Sequence, residues 1–212
     1  MPEKANSRIQ AQKVSGGSCE ENLTVVKENR GEEEKQQKRS GLAQAILKDV
    51  GISLAIALGI LVFIQPTIVN QTSMYPTCYP GDYILIERQA YLFSSPKRGD
   101  IIVFKSNLED ENGAKKLLIK RIIGISGDHV VIENGSVQVN GKTLKENYLV
   151  DGTYTEGTID CTVPEDAYFV MGDNRDVSID SRSQDVGFVN KDDIVGKSAL
   201  RIFPLNRAGK VE

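Results

Sequence analysis

Ser73 lies in the run Thr72-Ser73-Met74-Tyr75-Pro76-Thr77. A serine hydroxyl becomes a nucleophile only when a neighbouring base takes its proton. Histidine is the usual base, and the chain has one, His129, next to Asp128. His129 opens a stretch of strand character. Adjacent side chains there point to opposite faces, which favours a solvated or structural histidine over a triad. Lysine is the other option. Its ordinary pKa of about 10.4 keeps it protonated at neutral pH, and it acts as a base only where burial disfavours the charge.

Lys120 is the lysine to consider. In Leu117-Leu118-Ile119-Lys120-Arg121-Ile122-Ile123, strand alternation puts it on one face with Leu118 and Ile122 and turns Arg121 the other way. The same pattern fits an edge strand whose lysine reaches into water and guards the edge. A third block, Gly172-Asp173-Asn174-Arg175-Asp176-Val177-Ser178-Ile179-Asp180-Ser181-Arg182, is dense in hydrogen-bonding groups. It reads either as a polar surface loop or as a network holding a buried polar site in one geometry. The residues by themselves leave both pairs of readings open.

Other chemistry has little to stand on. Cys19, Cys78 and Cys161 are far apart and form no CxxC pair or Cys/His cluster, so no zinc site and no cofactor is expected. Cys78 and Cys161 are expected as unpaired thiols rather than a disulfide. The formal net charge of −3, with no basic stripe, gives no reason to expect nucleic acid as a partner.

The elements that must position these residues fall into three parts. Residues 1–44 contain no aromatic residue and carry the run Glu32 to Arg39, so a disordered tail is expected. Val50 to Ile64 is almost pure hydrocarbon, spans about 22 Å as a helix, and ends nine residues before Ser73. Extended to residues 45–66 it reads as a single transmembrane helix, with Lys48 reaching the interface and Pro66 ending it. A cleaved secretory signal and a buried core helix are the alternatives. Lys35, Lys38, Arg39 and Lys48 precede the span, and the next cation is Arg88. That bias puts the N-terminus in the cytoplasm of a cell-membrane protein and the rest outside.

From residue 67 the pattern is mainly β. Tyr83 to Arg88, Asp100 to Phe104, Leu117 to Ile125, Tyr168 to Met171 and Ile194 to Phe203 have strand composition. His129 to Asn140 reads as a hairpin turning at Asn134-Gly135. Antiparallel sheets or a partly closed barrel are expected over 67–212, as one monomeric domain.

Taken together, the three blocks resemble those of bacterial type I signal peptidases, membrane-bound serine–lysine enzymes. Ser73-Met74-Tyr75-Pro76-Thr77 resembles the family's S-M-x-P-T motif. Lys120 to Asp128 resembles its K-R-x-x-G-x-x-G-D motif, and Gly172 to Arg182 its G-D-N-R-D-x-S-x-D-S-R motif. The similarity covers roughly residues 45 to 205. It implies a β-rich extracytoplasmic peptidase that cleaves signal peptides of exported preproteins at the bilayer, after small residues at −1 and −3. Ser73 would be the nucleophile and neutral Lys120 the general base.

The resemblance also implies supporting roles. Ser178 would orient the Lys120 amine, Asp180 would pair with Arg182, and Asp173 with Arg121. The oxyanion would be met by the Ser73 N–H. Where some relatives carry a second donor, a serine two residues before the nucleophile, this chain has Gln71. Val69, Met74 and Ile119 would line the substrate pockets. Two other readings remain at this point. One is a self-cleaving repressor-type serine–lysine protease. The other is a non-catalytic, membrane-anchored β domain for binding or assembly, in which Lys120 would be exposed and far from Ser73.

Overall fold

A computed structural model describes residues 38–39, 41–42, 44–59 and 63–212. Of the expected tail 1–44, residues 1–37, 40 and 43 lie outside the described residues, as does Cys19, while 38–39, 41–42 and 44 are helical. Residues 44–59 are helical, and no helix among the described residues is long and apolar enough to cross a membrane. The helix expected through residue 66 is corrected at its end. Ile64–Ile68 is a strand, β1, paired antiparallel with β2 (Tyr83–Glu87) from Ile64↔Glu87 to Ile68↔Tyr83. Pro66 fits there because only one side of β1 is laddered.

Ala57–Glu212 makes one compact unit. Its remaining strands are β3 (Ile101–Glu109), β4 (Lys115–Gly124), β5 (His129–Glu133), β6 (Ser136–Val139), β7 (Lys142–Thr143), β8 (Ile159–Thr162), β9 (Ala167–Met171), β10 (Val189–Asn190), β11 (Ile194–Phe203) and β12 (Gly209–Lys210). The larger sheet runs β1-β2-β11-β3-β4-β9-β10, with β12 beside β11; the smaller runs β7-β6-β5-β8. Every ladder is antiparallel. The larger sheet is a path with two ends, and no ladder among the described residues joins β1 to β10. The expected mainly β architecture of antiparallel sheets is what the described residues form.

Alternation explains the outer strands. Ile84 and Ile86 of β2, and Val130 and Ile132 of β5, point inward while their neighbours face out. The centre is different. All five residues of β9 are buried, as are the residues of β4 from Lys120 onward, because both faces of the larger sheet are covered there. Phe104, Leu118, Ile122 and Val170 pack on one face. Val69, Met74, Cys78, Ile84 and Ile101 form a second core, and Ile123, Val130, Ile132 and Phe169 a third. The β5–β6 hairpin turns on Asn134 (φ 49°) and Gly135 (φ 80°), the left-handed pair a tight primed turn requires.

Candidate active site

Ser73 is held by a turn and by its neighbour. The Tyr75 N–H donates to the Thr72 carbonyl at 3.0 Å and the Cys78 N–H to the Met74 carbonyl at 2.7 Å. Met74 and Cys78 are fully buried in the core with Val69 and Ile84. Removing either from water is worth about 1.5–3 kcal/mol, which fixes the adjacent serine. From the other side, the Asn174 N–H donates to the Ser73 carbonyl at 3.0 Å, and Asn174 Nδ2 to the Thr72 carbonyl at 3.2 Å.

Lys120 comes from β4, opposite Ile102 of β3. As far as Lys120, β4 is laddered only to β3, but the edge-strand alternative fails because this side chain does not reach water. Lys120 is 1% exposed, and its Nζ lies 2.6 Å from Ser73 Oγ. This is the reverse of the exposed, distant lysine that a non-catalytic domain predicts. Burial pushes the amine down from 10.5 to about 8. Asp180 and Asp173 pull it back up, and Arg182 pushes it further down. Burial thus shifts the amine toward its neutral form.

The block after β9 is a buried network. Asp180 accepts from Arg182 Nε at 2.9 Å and Nη2 at 3.1 Å, and from the Gly172 N–H at 3.0 Å. Arg182 also donates to the carbonyls of Arg175 and Ser178. Asp173 accepts from Arg121 Nε at 2.9 Å and Nη2 at 2.7 Å, and from the Thr77 hydroxyl. Gly172 packs against Ser73 and Ser178 so closely that a Cβ there would overlap the Ser73 carbonyl oxygen and the Ser178 hydroxyl.

Two expected placements differ. Ser178 Oγ is buried without a hydrogen-bond partner, so the bond expected to the Lys120 amine is not made; the hydroxyl packs against Gly172 instead. Met74 lies in the core beneath the site and lines neither neighbouring cleft, because its side chain anchors the turn. Val69 and Ile119 line a cleft of 250 Å³ with Ile84 and Val103. A second cleft, of 340 Å³, holds Ser73 and Lys120. The exposed Gln71 borders both.

His129 is on β5 in the smaller sheet, exposed and 2.7 Å from Asp160. Asp128 serves Arg98, Asn140 and the Ile125 N–H. Cys78 and Cys161 are free thiols, and burial pushes Cys78 up to about 11. Among the described residues no cluster of His, Cys, Asp and Glu is arranged to hold a metal ion.

Sequence reasoning missed the support behind the block. Arg175 is buried. It donates to the Gly172 carbonyl at 3.0 Å, to Thr155 Oγ1 at 2.7 Å and to Glu146. Glu146 also accepts from Tyr148 at 2.7 Å, and the Tyr148 ring lies 3.9 Å from the Arg121 guanidinium. Arg175 was visible inside the block. Glu146 and Tyr148 sit in a polar connection with no pattern to mark them.

The family model and the curated relatives point to one family. Residues 42–203 match the family described as "Signal peptidase, peptidase S26". The chain is 37% identical over 170 residues to a signal peptidase I of Leptolyngbya laminosa, covering 78% of this chain and 82% of the relative. It is 35% identical over 195 residues to a signal peptidase I of Bacillus amyloliquefaciens, covering 86% and 100%. A solved structure of a signal peptidase I from Enterococcus faecalis V583 aligns with a TM-score of 0.41 at 31% identity, over 49% of this chain and 97% of that one.

Proposed function

The chain belongs to the signal peptidase family, peptidase S26, and from that premise we propose that it removes signal peptides from exported preproteins with Ser73 as nucleophile and uncharged Lys120 as general base. It is a peptidase and so a hydrolase. The observation that carries the catalytic reading is the 2.6 Å contact between Lys120 Nζ and Ser73 Oγ, made by an amine that burial drives toward its neutral form.

In the first step Lys120 accepts the Ser73 proton as the oxygen adds to the scissile carbonyl. The C–N bond then breaks, Lys120 returns the proton to the departing amine, and an ester remains on Ser73. Lys120 next takes a proton from water, whose oxygen attacks the ester; the acid leaves and Ser73 regains its hydrogen. The Ser73 N–H is assigned to the oxyanion, with Gln71 as the second donor. One such donor is worth about 3–4 kcal/mol in the transition state. Asp180 with Arg182, and Asp173 with Arg121, hold the block against Ser73. Ser178 packs against Gly172, the residue that meets the Ser73 carbonyl.

Selectivity follows from the β4 edge. The ladder to β9 begins at Arg121, so Lys115 to Lys120 are paired only with β3 among the described residues. An extended substrate can add to that edge. Its −1 and −3 side chains share a face, and the cleft lined by Val69, Ile84, Val103 and Ile119 accepts small ones there. The apolar residues before Ile64 anchor the monomer in a lipid bilayer, with the N-terminus cytoplasmic and the catalytic unit outside. The test is cleavage of a signal-bearing preprotein by the full chain in detergent. Ser73→Ala and Lys120→Ala should each abolish it; wild-type cleavage by both refutes the mechanism.

A further inference from the structure

The Gly172–Arg182 block is turned inside out. Three of its charged residues, Asp173, Arg175 and Asp180, are buried, whereas Val177 and Ile179 are 56% and 53% exposed. Both apolar residues line the 340 Å³ cleft that contains Ser73 and Lys120. Leu108 of β3 and Lys116 and Leu118 of β4 complete its walls.

The register of β4 says which part of a substrate would meet them. Residues 116, 118 and 120 fall on one face of the strand, and 117 and 119 on the other. Leu117 and Ile119 line the 250 Å³ cleft, Lys116 and Lys120 line the 340 Å³ cleft, and Leu118 borders both. A chain added to the free edge of β4 alternates in the same way. With −1 and −3 in the first cleft, the −2 side chain turns toward the second.

We propose that Val177, Ile179, Leu108 and Lys116 form a further specificity subsite, which takes the −2 side chain and selects an aliphatic stem with a carboxylate rather than a cation at its end. The subsite rests on the peptidase reading above. Val177 and Ile179 cover the stem from the block side, and Leu108 from the strand side. Lys116, exposed at the far end of the same β4 face as Lys120, meets the tip of the side chain.

The experiment uses the full chain in detergent and quenched peptides with alanine at −1 and −3 and Leu, Ser, Glu or Lys at −2. Wild type should prefer Leu to Ser by about tenfold in kcat/KM, and Glu to Lys by about threefold at low salt. Val177→Ser with Ile179→Ser should erase the first preference, and Lys116→Glu should invert the second. Selection of alanine over phenylalanine at −1 should survive in both. Equal loss on all peptides means that the loop is merely scaffolding, and it overturns the subsite. So does a preference that moves to the residue after the cut, or an effect seen only when lipid vesicles are added. A wild type that cleaves all four peptides alike sinks the subsite alone. One that cleaves none sinks the peptidase reading beneath it.

Discussion

Asp180→Asn should move the acid limb of the pH–rate profile downward. Lys120 titrates at about 8 rather than 10.5, with burial the largest cause. That gap is about 3 kcal/mol of disfavoured charge. It leaves roughly one amine in ten neutral at pH 7, against about three in ten thousand for an unshifted lysine. The sign follows directly. The base works unprotonated, so kcat/KM rises with pH through the folded pKa and levels off above it. Asp180 favours the protonated amine, and Arg182 opposes it. Removing the carboxylate takes away a raising charge and leaves Arg182 without its partner at 2.9 Å. Both effects lower the pKa, together by about one unit. The plateau should fall at least tenfold at the same time, because Asp180 also holds the Gly172 N–H. Arg182→Gln should move the limb up. The assay is kcat/KM on a quenched peptide between pH 6 and 10, fitted to one ionisation. A wild-type midpoint near 10, an upward shift in Asp180→Asn, or loss of the limb in His129→Asn would refute the reasoning.

Gly172→Ala should abolish cleavage, since its methyl would overlap the Ser73 carbonyl and the Ser178 hydroxyl. Wild-type kcat with an unchanged melting temperature would mean that the packing is looser than described. Glu146→Ala should leave the buried Arg175 guanidinium short of its carboxylate and destabilise the protein by about 3–5 kcal/mol. Glu146→Gln should recover part of that in denaturant unfolding, and equal stability of the two variants would remove Glu146 from the support.

Some of this protein was readable without coordinates. The β character of residues 83–203 follows from β-branched and aromatic runs broken by turn residues. Asn134-Gly135 marked its hairpin because few other pairs tolerate two positive φ angles. Three short blocks pointed to the site only through their resemblance to a family's motifs; by themselves the residues left a solvated lysine and a polar surface loop open. Alternation also predicted that Lys120 and Arg121 face opposite ways.

Tertiary structure decided the rest, because burial belongs to the assembled sheet and not to one strand. Lys120 lies where β4 is laddered only to β3, and only its burial against Ser73 turns it from a solvated edge lysine into a candidate base. Ile64–Ile68 became a strand rather than the end of a helix because β2 offered a ladder edge that local hydrophobicity cannot foresee. Met74 left the pocket for a core it shares with Ile101 and Val211, and Ser178 faced Gly172 where that glycine packs against the Ser73 carbonyl. Glu146 and Tyr148 matter only because folding lays their connection against Arg175 and Arg121. The chemical groups are written in the chain; which of them lose water, and therefore which can react, is a property of the fold.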